Sequence, residues 1–303
     1  MEHNIESVCV VGAGYMGSQI ALQCAVHGYA VRLHDCSADA LVKGRQMVED
    51  FSRRMLSDGY VSDESLASAM ERVTFVDGLE EAAGSVQLVI EAISEQLEPK
   101  RSLFQQLDVI CPPDTILTSN SSSLRISRIE DSVQRTDRVL NTHFVQPIWQ
   151  HPFVELMKGT KTIDAVLDKV DCFMQSIGML TVRVRKESTG FVFNRIWRAV
   201  KKEALKVVDQ GIASVEDVDR TWMIQMESPM GPLATMDVIG LDVIRDIEMV
   251  YYGESGDPDD APPAVLTQKV EAGQLGLKSG QGFYSYPNPS WQSDDFLKAS
   301  ANG

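Results

Sequence analysis

The sequence predicts an α/β protein, with a doubly wound parallel sheet domain followed by an all-α domain. Three observations predict it. As far as about Lys186, short apolar runs alternate with stretches of helical periodicity, the pattern of parallel strands joined by crossover helices. Beyond that point only the helical period continues. A glycine-rich turn, Gly12-Ala-Gly14-Tyr-Met-Gly17, joins the first apolar run to the first helix, where a buried strand would feed a crossover.

The elements follow in order. Val8-Cys-Val-Val11 reads as a buried strand. Met16 to His27 carries Ile20, Ala21, Cys24 and Ala25 at helical spacing, and Gly28 stops that helix. A second strand, Ala30 to His34, ends at Asp35. The charged stretch Ala38 to Glu71 has no strand signal and reads as a helical hairpin projecting from the sheet. Val86–Ile90, Thr115–Thr118, Arg138–Thr142 and Thr181–Val184 are further strands, with helices at Pro99–Asp108 and Asp164–Ser176. Phe191–Gln210, Val215–Met226 and Met236–Val250 read as helices of the second domain. The expected division is residues 1–187, with the hairpin inserted near 38–71, and residues 188–303.

Composition narrows the function classes. At 303 residues, the chain has room for two domains and a sizeable core without covalent staples. A net charge of −15 argues against a face that grips nucleic acid or an anionic membrane. Five cysteines, an odd number at wide spacing, form no CxxC redox or metal motif, so neither a disulfide framework nor a bound metal is expected. Residues 1–7 lack the apolar segment of a signal peptide, and no apolar run approaches the ~18 residues of a membrane span. The expected location is the cytoplasm.

The glycine turn is a weak signal alone, but it stands in the required setting. A strand precedes it, a helix follows, and an acid, Asp35, lies eighteen positions past Gly17. Gly12 makes the tight turn, Gly14 lets a pyrophosphate approach, and Gly17 lets the helix pack on the strand. The helix start, with Tyr15 and Met16, offers unpaired N–H groups and a positive dipole end to phosphates. Asp35 can accept from both ribose hydroxyls. Its charge repels a 2′-phosphate, and the following Cys36-Ser-Ala supplies no Arg, so the expected cofactor is NAD rather than NADP, on a Rossmann-type sheet.

Further motifs carry the chemistry. Ser119-Asn-Ser-Ser-Ser-Leu124 follows one strand, and His143-Phe-Val-Gln-Pro147 follows another, with Val154-Glu155 beyond. Gly190-Phe-Val-Phe-Asn194-Arg195 opens the helical domain. With Pro229-Met-Gly-Pro232, Gly240-Leu-Asp242 and Gly276-Leu-Lys-Ser-Gly-Gln-Gly-Phe-Tyr284, the chain from about Ser7 to Tyr286 resembles the short-chain L-3-hydroxyacyl-CoA dehydrogenase family.

That resemblance implies NAD-dependent oxidation of the 3-hydroxyl of an (S)-3-hydroxyacyl-CoA by a homodimer. It matches His143 and Glu155 to the catalytic pair, and Ser122 and Asn194 to groups around the substrate oxygen. It matches Glu95, Lys100 and Lys278 to further cofactor contacts. The residue types suit alcohol oxidation, since imidazole is a base that titrates near neutrality and a carboxylate fixes its tautomer.

The chain also departs from the family pattern. Gln146 stands where the family usually has Asn, Ile148-Trp-Gln-His-Pro-Phe153 is bulkier than the usual run, and only Lys43, Arg45, Arg53 and Arg54 on the hairpin could meet CoA phosphates. These features keep open a CoA-independent hydroxy-acid or keto-ester oxidoreductase, since Trp149 resembles the diketoreductase type. A crystallin-like NAD(H)-binding protein without catalysis is the non-enzyme alternative.

Overall fold

The structure, a computed structural model, describes residues 3–298. Met1 and Glu2, in the N-terminal segment, and residues 299–303, at the end of the second expected domain, lie outside the described residues. The chain forms two compact units that divide between Asn194 and Arg195.

The first unit is built on an eight-stranded sheet. Its elements are β1 (Ser7–Val11), α1 (Tyr15–Val26), β2 (Ala30–His34), α2 (Ala38–Ser57), α3 (Asp63–Arg72), β3 (Val73–Val76), α4 (Leu79–Ala83) and β4 (Leu88–Glu91). They continue as α5 (Leu97–Ile110), β5 (Ile116–Ser119), β6 (Val139–Phe144), β7 (Phe153–Lys158), α6 (Asp164–Ser176) and β8 (Leu180–Val184). The strand order is β3-β2-β1-β4-β5-β6-β7-β8, so the winding direction reverses between β1 and β4.

Central strands bury both faces, which is why they read as unbroken apolar runs. Val8, Val10, Leu88 and Ile90 face one core, packed with α1, α2, α3 and α6. Cys9, Val11 and Val89 face the other, packed with α4, α5 and Ile126–Val133. Cys9 and Cys24 are small apolar core groups here; burial pushes both thiols up, Cys24 to about 12.

Four expectations are corrected. The sheet is not wholly parallel, because β7 runs antiparallel to β6. Residues 145–152 are too few for a parallel crossover, which needs about a dozen or more residues, so the chain turns straight back. β6 also extends through Phe144, placing His143 within the strand rather than after it. The short strand β3 follows the hairpin directly, at the sheet edge. The hairpin does not stand clear of the domain: Val48, Phe51, Met55 and Ala69 are buried in the same core as α1.

The second unit continues α7 (Phe193–Asp209), which starts two residues before the division, with α8 (Val215–Met226), α9 (Pro232–Ile239), α10 (Leu241–Ser255) and α11 (Ala264–Glu271). The single helix expected over Met236–Val250 is broken at Gly240, whose φ of +107° lies outside helical space and suits glycine. Two buried aspartates sew this unit together. Asp219 accepts from the Leu233 and Ala234 N–H groups at the start of α9 and from the Tyr284 hydroxyl. Asp237 accepts from the Phe283 and Tyr284 N–H groups, fastening residues 276–286 onto α9. Among the described residues, no helix is long and apolar enough to cross a membrane.

Candidate active site

The site starts from the carboxyl ends of β1 and β4, where the strand order reverses, the position at which open α/β sheets take ligands. The Gly12 N–H donates to His34 O at 2.7 Å, closing the turn. A Cβ on Gly17 would stand 1.8 Å from Gly12 O, so only glycine lets α1 approach. A Cβ on Gly14 would meet nothing within 4 Å. The side of the turn at Gly14 therefore stands open to solvent. No side chain caps α1, so the N–H groups of its first turn, at Tyr15 to Gly17, face outward with the positive dipole end. Tyr15 is 44% exposed and Met16 half-buried.

Asp35 braces the turn. Its Oδ2 accepts from the Ala13 N–H and its Oδ1 from the Ser37 N–H, both at 3.0 Å. Beside it lies a cavity of about 430 Å³, whose lining includes Gly12, Asp35, Cys36, Leu79, Ile93 and Leu103. No Lys or Arg is among the described lining residues. A largely apolar cavity, the Asp35 carboxylate in its lining and the uncapped first turn of α1 fit an adenosine, its ribose hydroxyls and a pyrophosphate in that order. The residues present thus fit NAD.

A buried ionic group extends the site from β4. Lys100 on α5 is 1% exposed, although its helix pattern places it on a surface. Its ammonium donates to Glu91 Oε1 at 2.5 Å and to Ile93 O at 3.3 Å, and lies 3.5 Å from Glu95 Oε2. Three protein oxygens thus surround the ammonium. Removing Lys100 would leave the buried Glu91 carboxylate without a counter-charge, at a cost of about 3–5 kcal/mol.

Glu95 turns its other oxygen to the serine loop, accepting from the Ser121 and Ser123 hydroxyls and the Ser123 N–H. Burial alone would raise its carboxyl, but Lys100 and these hydrogen bonds outweigh it and hold the carboxyl below its ordinary value. The loop residue between the two gripped serines is Ser122.

β6 and β7 bring the proposed base and its partner face to face. His143 and Glu155 are directly opposed in the antiparallel register. His143 Nδ1 lies 2.8 Å from Glu155 Oε2, and Nε2 lies 3.1 Å from Ser122 Oγ. An ionised carboxylate only accepts, so Nδ1 carries the proton and the Nε2 lone pair is turned toward Ser122. The other carboxylate oxygen, Oε1, accepts from the N–H groups of Val192 and Phe193 at 2.8 and 2.9 Å, at the start of α7. Unpaired N–H groups at a helix start stabilise the anionic form. Asn194 is half-buried on the next position of α7.

Sequence reasoning missed Phe191. Its ring stacks on His143 at a centroid distance of 4.8 Å and an interplanar angle of 25°. It is buried at a φ of +53°, a conformation uncommon for a bulky residue. Glu91 was also missed, since an acid ending an apolar strand reads as the exposed end of that strand. Lys278 lies in the second unit, paired with Asp242 at 2.5 Å. Among the described residues, no group of His, Cys, Asp and Glu could hold a metal ion.

Comparison with known proteins agrees along nearly the whole length. Residues 7–188 match the 3-hydroxyacyl-CoA dehydrogenase NAD binding domain, and residues 190–286 match the 3-hydroxyacyl-CoA dehydrogenase C-terminal domain. A probable 3-hydroxybutyryl-CoA dehydrogenase of Bacillus subtilis is 37% identical over 282 residues, covering 93% of this chain and 98% of that protein. The crystal structure of an (S)-3-hydroxybutyryl-CoA dehydrogenase from Ralstonia eutropha is 34% identical with a TM-score of 0.88, covering 94% of this chain and 100% of that one. A diketoreductase structure is 33% identical with a TM-score of 0.83, covering 93% of this chain and 99% of that one. The chain belongs to the 3-hydroxyacyl-CoA dehydrogenase family and is an NAD-dependent oxidoreductase.

Proposed function

We propose that the enzyme interconverts an (S)-3-hydroxyacyl-CoA and its 3-oxoacyl-CoA, with His143 as the general base. The carrying observation is the hydrogen-bonded Glu155–His143–Ser122 chain, in which a buried Glu155–His143 pair turns Nε2 toward an exposed Ser122. NAD, when bound, supplies the hydride acceptor. His143 Nε2 removes the hydroxyl proton while the carbinol carbon gives up its hydride and the carbonyl forms. Glu155 stabilises the imidazolium and prevents the ring from turning. Ser122 and Asn194 direct hydrogen bonds at the substrate oxygen as charge develops there. In the reverse direction the imidazolium returns the proton.

The substrate class is supported by the names of the relatives, which are 3-hydroxybutyryl-CoA dehydrogenases. The test is NADH formation with 3-hydroxybutyryl-CoA, a longer 3-hydroxyacyl-CoA, and the same hydroxy acids without CoA. Turnover of the thioesters well above that of the free acids is expected. A specific observation favours the CoA-free alternative: of the four exposed cations of α2, Arg45 lies over the Phe75 ring, Arg53 pairs with Asp50 and Arg54 acts on the Asp58 carboxylate. Equal or greater turnover of a free hydroxy acid or a keto ester would select that alternative.

Asp35 is read as the ribose anchor. Asp35→Ala is expected to raise the NADH Kd about tenfold or more, since a hydrogen bond to a charged group contributes roughly 1.5–3 kcal/mol. NADPH binding should gain relative to NADH. Tighter binding of NADPH than NADH by the unaltered enzyme would sink this assignment. A homodimer is read through the helical unit, where Ile196 of α7 and Val243, Ile247 and Val250 of α10 are exposed. The five free cysteines accord with a cytoplasmic enzyme.

A further inference from the structure

Residues 145–152 are the connection between the strand that carries His143 and the strand that carries Glu155. They begin two residues after His143, and Ile148 and Trp149 are buried in the core shared with α1 and α2. Three hydrogen bonds involving side chains hold them to α1 and the hairpin. The Ile148 N–H donates to the buried Gln19 Oε1 on α1 at 3.0 Å. The Trp149 indole Nε1–H and the Gln150 side-chain amide both donate to Asp58 Oδ2, each at 2.9 Å.

Asp58 is the C-terminal cap of α2, at the tip of the hairpin. An anion is electrostatically misplaced there, because the last turn of a helix carries the negative dipole end. The two N–H donors from the distant loop offset this, and with Trp149 leading they hold the Asp58 carboxyl below its ordinary value. Trp149 itself is only 6% exposed, large and flat, packed 5.9 Å from the Phe51 ring of α2. Phe51 in turn meets Tyr15 edge-on at 5.0 Å, at the start of α1. The loop is thus latched at its outer end to the hairpin and at its inner end to the cofactor-binding helix.

We propose that Asp58 and Trp149 form a latch that positions the 145–152 wall, so that the hairpin tip determines how well the hydroxyacyl substrate is seated beside His143. Neither side chain takes part in proton or hydride transfer; both are positioning residues. The substrate part of this inference rests on the function proposed above, while the latch itself does not.

The test uses the full-length protein with Asp58→Ala, Asp58→Asn, Trp149→Phe and the double variant Asp58→Ala/Trp149→Phe. Hydrogen exchange of the hydrogen-bonded amides of Ile148, Gln150 and His151 is read first, without substrate. About tenfold faster exchange in Asp58→Ala, a smaller increase in Trp149→Phe, which keeps the Gln150 contact, and no further increase over Asp58→Ala in the double variant are expected. Asp58→Asn keeps an acceptor oxygen and should recover part of the protection.

With 3-hydroxybutyryl-CoA, KM should rise about fivefold or more, while kcat and the NADH Kd stay within twofold. Unchanged exchange, or additive effects of the two substitutions, would overturn the latch. A fall in kcat at constant KM would overturn its role in seating substrate. An unaltered enzyme inactive on every acyl-CoA would instead remove the proposed function and leave the exchange result to judge the latch alone.

Discussion

Replacing His143 by Gln or Ala is expected to lower kcat by about 10²–10⁴-fold, the usual contribution of a positioned general base. The NADH Kd should change little, because the glycine turn and Asp35 follow β1 and β2, which β4 and β5 separate from β6 and β7. Glu155→Gln should fall in the same direction. An amide can still accept from one side, but it no longer places an anion between the imidazole and the two N–H groups at the start of α7. A double variant should be scarcely worse than His143→Ala alone, since residues acting as one unit do not lose activity additively. Stopped-flow single turnovers, which isolate the chemical step, are the measurement. A His143→Ala enzyme with more than half of the unaltered single-turnover rate would dismiss the proposed base, whatever the substrate proves to be.

The second large effect is expected at the glycine turn, from two substitutions that separate packing from binding. Gly17→Ala places a methyl group 1.8 Å from Gly12 O and 3.5 Å from a Val10 methyl, so α1 must move away from β1. Its Tm should drop by several degrees, and its NADH Kd should rise roughly 100-fold, about 2.7 kcal/mol at room temperature. Gly14→Ala meets nothing within 4 Å, so the fold should be retained with an ordinary Tm. Its methyl occupies the open side of the turn instead, and NADH should still bind markedly more weakly. Thermal denaturation with and without NADH measures both at once. A Gly14→Ala protein binding NADH as tightly as the unaltered enzyme would move the pyrophosphate away from this turn.

These two sites differ in how far they could be read from sequence. The run from β1 through α1 to Asp35 was legible because its signals are local. Strand, turn and helix are defined by residues within a few positions of one another, and each glycine has a reason within its own turn. The β7 strand was not legible. Phe153–Lys158 becomes a strand by pairing with β6, and its central residue, Glu155, is an acid that pattern alone assigns to the surface. The same holds for Lys100, which helix periodicity leaves exposed and which Glu91 draws into the interior. Phe191 adopts a left-handed conformation that no local preference favours, and it does so where its ring covers His143.

Residue pattern and short-range chemistry therefore specified an α/β sheet domain, a helical domain and a glycine turn followed by an acid, while the family resemblance singled out a His and an acid twelve residues apart as the proposed catalytic pair. They did not specify that this pair is opposed across an antiparallel ladder, that a serine loop is held by Glu95, or that the hairpin tip is tied to the loop at Trp149. Those facts join residues far apart in the chain. Their contacts form only when burial of the two cores brings distant segments together, and a buried polar group then takes whatever partner lies within hydrogen-bonding reach.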